Sequence, residues 1–180
     1  MEDAERERDG GLIGPASGPV TEGQIEADLE RGKIYRLNDR FFKFLFGREE
    51  RKYLFLDLVN ALVFPDGSAG FTGFEYANRE LSAARVEGKD CYLDIVANMA
   101  DGTQVEVEVQ VRNRNDYPQR STYYLSALHA SQLRAGDSYL DLRKTISIHI
   151  LAFSLFDGER FRRVFSLCDE ETGERLSDDL

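Results

Sequence analysis

Cysteine is scarce in this chain of 180 residues: Cys91 and Cys168 are the only two. They are too few for a disulfide framework and are not spaced as metal ligands. Cys91 sits beside an apparent core strand and reads as a small buried residue. A reducing, cytoplasmic setting is the expectation for such a chain. Long apolar runs are missing too. Nothing approaches the roughly 20 residues needed to span a bilayer, and the acidic amino terminus is unlike a signal peptide, so no membrane partner is expected. Phosphate-binding loops, nucleophile elbows and dinucleotide glycine patterns are absent, which sets those enzyme classes aside. His129 and His149 are far apart without zinc spacing and read as structural. No internal repeat is seen.

Positive charge is in deficit. Lys and Arg number 23 against 33 Asp and Glu, a formal net charge of −10. The excess lies in the flanks: residues 1–33 hold nine acids and four bases, and residues 157–180 hold eight acids and four bases. Residues 34–156 hold sixteen acids and fifteen bases. A near-neutral centre can still bind a phosphate backbone if its cations share one face and metal ions offset its carboxylates.

What is present is enough apolar material for one core, 42% of residues with 12 Phe and 8 Tyr. Residues 1–33 are charged and punctuated by Gly10-Gly11, Gly14-Pro15 and Gly18-Pro19. They are expected to be disordered, with a short helix over 22–31. From there the spacing predicts a core over 34–156 and an extension over 157–180. Asn38-Asp39 can cap a helix carrying Phe41, Phe42, Leu45 and Phe46, which Gly47 stops. A second helix is expected over 49–63, ending before Pro65-Asp66-Gly67. Strands are expected over 71–77, 91–99 and 104–112. Pro118 suits the first turn of a helix that Gly136 closes. A β-branched strand follows over 145–153, extending to 156, and residues 163–168 can add a short one. The order α-α-β-β-β-α-β implies an α/β sandwich around a mixed sheet.

The chemistry gathers in one hairpin. Tyr92-Leu93-Asp94-Ile95-Val96 leads through a turn at Asp101-Gly102 to Gln104-Val-Glu106-Val-Glu108-Val-Gln110-Val-Arg112. Side chains alternate across a strand, so Gln104, Glu106, Glu108, Gln110 and Arg112 share a face opposite the valines. Carboxylates at matched register on strands about 4.8 Å apart can share one cation at about 2.1 Å. Asp94 lies in an apolar strand, where an unpaired charge is costly. A Mg²⁺ ion held by Asp94 and Glu108 can polarise a phosphoryl oxygen and lower the pKa of a bound water. Gln110 can orient water or phosphate but has no basicity to offer.

Four segments in order carry a resemblance: Asn38-Asp39-Arg-Phe-Phe-Lys43-Phe-Leu-Phe46-Gly47, Leu93-Asp94-Ile95-Val96, Val107-Glu108-Val109-Gln110-Val111 and Arg120-Ser-Thr-Tyr123-Tyr124. Over roughly residues 34 to 175 the chain resembles the PD-(D/E)XK nuclease family transposases, relatives of the recombination-promoting nucleases. The resemblance implies a restriction-endonuclease-like αβ sandwich and Mg²⁺- or Mn²⁺-dependent cleavage of DNA. Asp94 and Glu108 would match the two metal-binding acids. Gln110 stands where many members carry a lysine, and Lys89 is a candidate for the displaced positive charge. Arg120 and Tyr124 match helix positions that face the site. The family tends to have further chain beyond Leu180, which implies a truncated form.

Each position also has a plainer reading. Alternating polar residues often make a solvated sheet face, and Glu106 is read that way or as a paired charge, with assistance to the metal as its alternative. Asp39 is most simply a first-turn acid; its alternative is a third acid reaching the site. Arg112, Arg114 and Arg120 belong to a basic stretch that can track phosphates or form a solvated turn. Tyr123 and Tyr124 suit helix packing better than base stacking. The leading expectation is a metal-dependent DNA endonuclease, dimeric if it cuts both strands. The competing one is a catalytically inactive, transposon-derived DNA- or protein-binding module. A third is that the acidic tails mimic DNA and occupy the site in cis.

Overall fold

A computed structural model of the chain describes residues 12–13, 23, 27–28, 30–32, 34–35, 39–77, 94–111 and 116–180. Two short strands, β1 (Leu12–Ile13) and β2 (Ile34–Tyr35), pair in parallel. Helical backbone occurs at residues 23, 27, 28 and 30, inside the helix expected over 22–31. Residues 31–32 form a turn, and the other residues of the segment expected to be disordered lie outside the described residues.

The rest is built on a four-stranded sheet in the order β3 (Phe74–Tyr76), β4 (Ile95–Met99), β5 (Gln104–Gln110) and β6 (Thr145–Leu151). The first two junctions are antiparallel and the last is parallel. A parallel neighbour needs a crossover, and helix α3 (Tyr117–Ala130) supplies it between β5 and β6. Helices α1 (Asp39–Phe46) and α2 (Lys52–Val63) precede the sheet. The fold is α/β around a mixed sheet, consistent with a restriction-endonuclease-like sandwich.

Alternation along β5 sorts its residues between two layers. Val105, Val107 and Val109 join Phe42 of α1, Phe55 and Val59 of α2, and Ile95, Ala97 and Met99 of β4 in the main core. Ile146, Ile148 and Ile150 of β6 pack against the same cluster. The opposite face meets α3, where Leu128 and Tyr124 pack on Val96. The glutamates of β5 therefore point into a covered layer and not into solvent.

Local chemistry explains where elements begin and stop. The Gly47 N–H donates to the Lys43 carbonyl at 2.9 Å, ending α1, and a Cβ on Gly47 would lie 2.7 Å from that oxygen. Glycine is required by that close approach. Strand β3 starts at Phe74, later than expected, because Asn60 of α2 occupies both backbone groups of Phe71, donating at 2.9 Å and accepting at 2.8 Å. In the β4–β5 turn Gly102 adopts φ 90°, and the Asp101 carboxylate accepts from the Thr103 N–H at 2.9 Å. The strand expected over 163–168 does not form. Cys168 makes a lone bridge to Arg175, while Phe161 is fully exposed and Val164 and Phe165 are largely so. Apolar β-formers need a neighbouring strand to make a ladder, and here the pairing stops at that one bridge.

Candidate active site

The hairpin expected to carry the chemistry forms with Ile95 opposite Val107 and Val96 opposite Glu106. Continuing that register by one position sets Asp94, at the bend before β4, level with Glu108. The backbone secures it there: the Val109 N–H donates to Asp94 Oδ2 at 2.9 Å. Asp94 thereby prolongs the ladder with its side chain where the strand itself has not begun. Its other oxygen, Oδ1, lies 3.0 Å from Lys43 Nζ of α1.

Glu108 is buried on the α3 face of β5. Arg120 of α3 brings Nη2 to 3.6 Å from Glu108 Oε1, and Gln110 Nε2 donates to the same oxygen at 3.3 Å. The Arg120 guanidinium also lies over the rings of Tyr117 and Tyr124, at 5.4 and 6.0 Å. Stacking of this kind holds a guanidinium in a fixed direction. Tyr124 packs against the cluster of Val96 and Leu128.

Glu106 corrects the solvated reading, for it has 0% exposure. Ser147 of β6 donates its hydroxyl to Glu106 Oε1, while Oε2 has no hydrogen-bond partner among the described residues. Burial pushes the Glu106 carboxyl up to about 7, against the Ser147 hydrogen bond, and the charges of Glu108 and Asp94 push the same way. A neutral acid is the physical answer to a carboxyl buried beside two others.

His149, read from sequence as structural, stands beside Glu108. The parallel register sets it opposite Glu108, with Nδ1 3.6 Å from Glu108 Oε2 and Nε2 2.6 Å from Ser147 Oγ. Burial, reinforced by Arg120, holds its pKa down to about 4. Neutral His149 is enclosed further by the edge of the Tyr117 ring, 5.5 Å away. Burial also raises the Tyr117 hydroxyl pKa, with Glu108 adding to it. His129, by contrast, pairs with Thr145 at 2.8 Å and is structural.

The molecule thus brings together Asp94, Glu108, Gln110, Arg120 and Tyr124. Lys89, Arg112 and Arg114 lie outside the described residues. Asp39 is the first residue of α1, and its side chain lies outside them too. Sequence reasoning gave no site role to Lys43, Ser147 or His149, and gave Glu106 assistance to the metal only as an alternative. The two-residue spacing from Glu106 to Glu108 carried the signal for one of them; the others depend on pairings between distant segments.

Among the described residues, no group of three or more His, Cys, Asp or Glu side chains is arranged as a metal centre. The donor chemistry nevertheless suits a hard cation. Asp94 and Glu108 offer carboxylate oxygens at one level of the sheet, and each already faces a positive side chain. A profile of the PD-(D/E)XK nuclease family transposases matches residues 36–180. No curated protein and no solved structure matches the chain.

Proposed function

The chain belongs to the PD-(D/E)XK nuclease family transposases, and from that premise we propose that it is a metal-dependent DNA endonuclease hydrolysing phosphodiester bonds. The observation that carries this reading is the Asp94 carboxylate fixed by the Val109 N–H, beside Glu108. Asp94, at the bend before β4, and Glu108 of β5 are held there at one level of the sheet ladder. Asp94 and Glu108 would hold Mg²⁺ or Mn²⁺, which would supply Lewis-acid polarisation of the phosphoryl oxygen and a more acidic water. The chain's own residues do the rest. Arg120 and Gln110 orient Glu108, and the Gln110 amide can also align water or phosphate, though not as a base. The covering helix α3 excludes water from the buried side of the carboxylates, which strengthens every charge interaction there. Arg112, Arg114 and Arg120 are proposed to contact the DNA backbone, fixing register more than sequence.

Cleavage of both strands calls for two such centres, so a homodimer is the proposed working form. No described helix is long and apolar enough to cross a membrane. The exposed Cys168 is a free thiol, in keeping with the proposed cytoplasmic setting.

The test is nicking of supercoiled plasmid in Mg²⁺ or Mn²⁺. Wild type is expected to nick, and Asp94→Asn and Glu108→Gln to lose at least about a thousandfold in rate while keeping a native circular dichroism spectrum. Intact plasmid under every metal condition would end the proposal. One observation favours a second reading, a catalytically inactive DNA- or protein-binding module: uncharged Gln110 occupies the lysine place, and both acids already have cationic partners. Metal-independent retention of DNA, or stable capture of a protein partner, without cleavage would select it.

A further inference from the structure

Gln110 leaves β5 without a positive charge beside its carboxylates, yet among the described residues two cations reach them from helices. They differ in access. The Arg120 side chain is 18% exposed and directed to Glu108, which is 8% exposed. The Lys43 side chain is 45% exposed while its ammonium stands 3.0 Å from Asp94, itself 12% exposed. Arg120 is therefore placed to neutralise a buried acid, whereas Lys43 meets Asp94 where solvent also reaches.

Helix α1 makes that position rigid. Phe42 is buried in the main core, and Phe46, one turn on, packs on it with the rings tilted and their centroids 4.8 Å apart. Lys43 lies in the last turn, where the helix dipole favours a cation. Gly47 closes the helix directly onto the Lys43 carbonyl. The helix end, the lysine backbone and the carboxylate are thus fixed together.

Resting on the nuclease reading, we propose that Lys43 is a catalytic residue of this centre, its ammonium donating to a non-bridging oxygen of the scissile phosphodiester beside Asp94. Hydrolysis forms one bond from a water oxygen to phosphorus and breaks one from phosphorus to the leaving sugar oxygen. The water's proton passes to solvent, and the leaving oxygen takes up a proton from solvent. Lys43 keeps its own protons throughout and acts through charge, which grows on the phosphoryl oxygens as the bonds exchange. A helix supplies the cation that the strand lacks.

The test compares wild type, Lys43→Gln and Lys43→Arg in plasmid nicking, in calorimetric Mn²⁺ titration without DNA, and in thermal melting. Lys43→Gln is expected to slow nicking about a hundredfold. It should leave the melting temperature near wild type and bind Mn²⁺ equally or more tightly, because a cation competing for Asp94 is gone. Lys43→Arg should recover a large part of the rate. Nicking by Lys43→Gln at the wild-type rate would overturn the role of Lys43 and leave the nuclease reading standing. Joint loss of nicking, Mn²⁺ binding and melting temperature would make Lys43 structural and also overturn it. A wild type silent under every metal would overturn the nuclease reading and this inference with it.

Discussion

Glu106 and His149 make pH-dependent demands on the fold that oppose each other. The Glu106 carboxyl titrates at about 7 in the folded chain, above its ordinary 4.5, because burial favours the neutral acid. The folded state therefore holds this proton more tightly than the unfolded one. Its contribution to stability is complete below 4.5 and is lost as pH rises to about 7. His149 titrates at about 4, below its ordinary 6.5, so the folded state resists protonation and stability rises with pH across that window. Between 4.5 and 6.5 the two slopes offset each other, and only the Glu106 slope remains up to about 7. Glu106→Gln keeps an acceptor for Ser147 without a charge. Its melting temperature relative to wild type should climb as pH goes from 4.5 to about 7. Parallel melting curves for the two proteins across that range would contradict the buried-acid account.

At the scale of elements, helix α1 is the part whose ending matters most. Gly47→Ala would set a Cβ 2.7 Å from the Lys43 carbonyl oxygen, so the helix end must unwind or shift. A loss of about 1–3 kcal/mol in urea unfolding is expected, and an unchanged midpoint would show that the end relaxes freely. The element order was legible in sequence because Phe42 and Phe46 follow the helical period and Val105, Val107 and Val109 the strand period. The hairpin was legible from Asp101-Gly102. Less legible was anything set by a remote partner. The Asn60 clamp on Phe71 shortens β3, and no local pattern announces it. Residues 163–168 have strand-like composition but pair only through the lone Cys168–Arg175 bridge, too little to build a strand. Glu106 looked solvated because alternation reveals a shared face but not whether α3 covers it.

Across the whole molecule, α1 and α2 close the valine face while α3 closes the carboxylate face, so three acids sit between layers with Lys43 and Arg120 beside them. Asp94 and Glu108 were legible as a pair from one hairpin. Their neighbours were not, since Lys43 comes from α1 and His149 from β6 through a parallel register. The acidic flanks account for most of the formal charge, leaving residues 34–156 with near balance in which local placement decides the field. Calorimetric titration of Mn²⁺ into wild type, Asp94→Asn and Glu108→Gln addresses the shared-cation claim on which the functional reading stands. Wild type should show one saturable site, and each single substitution should abolish it, because neither acid alone holds the ion. Isotherms that are the same for all three proteins would contradict it.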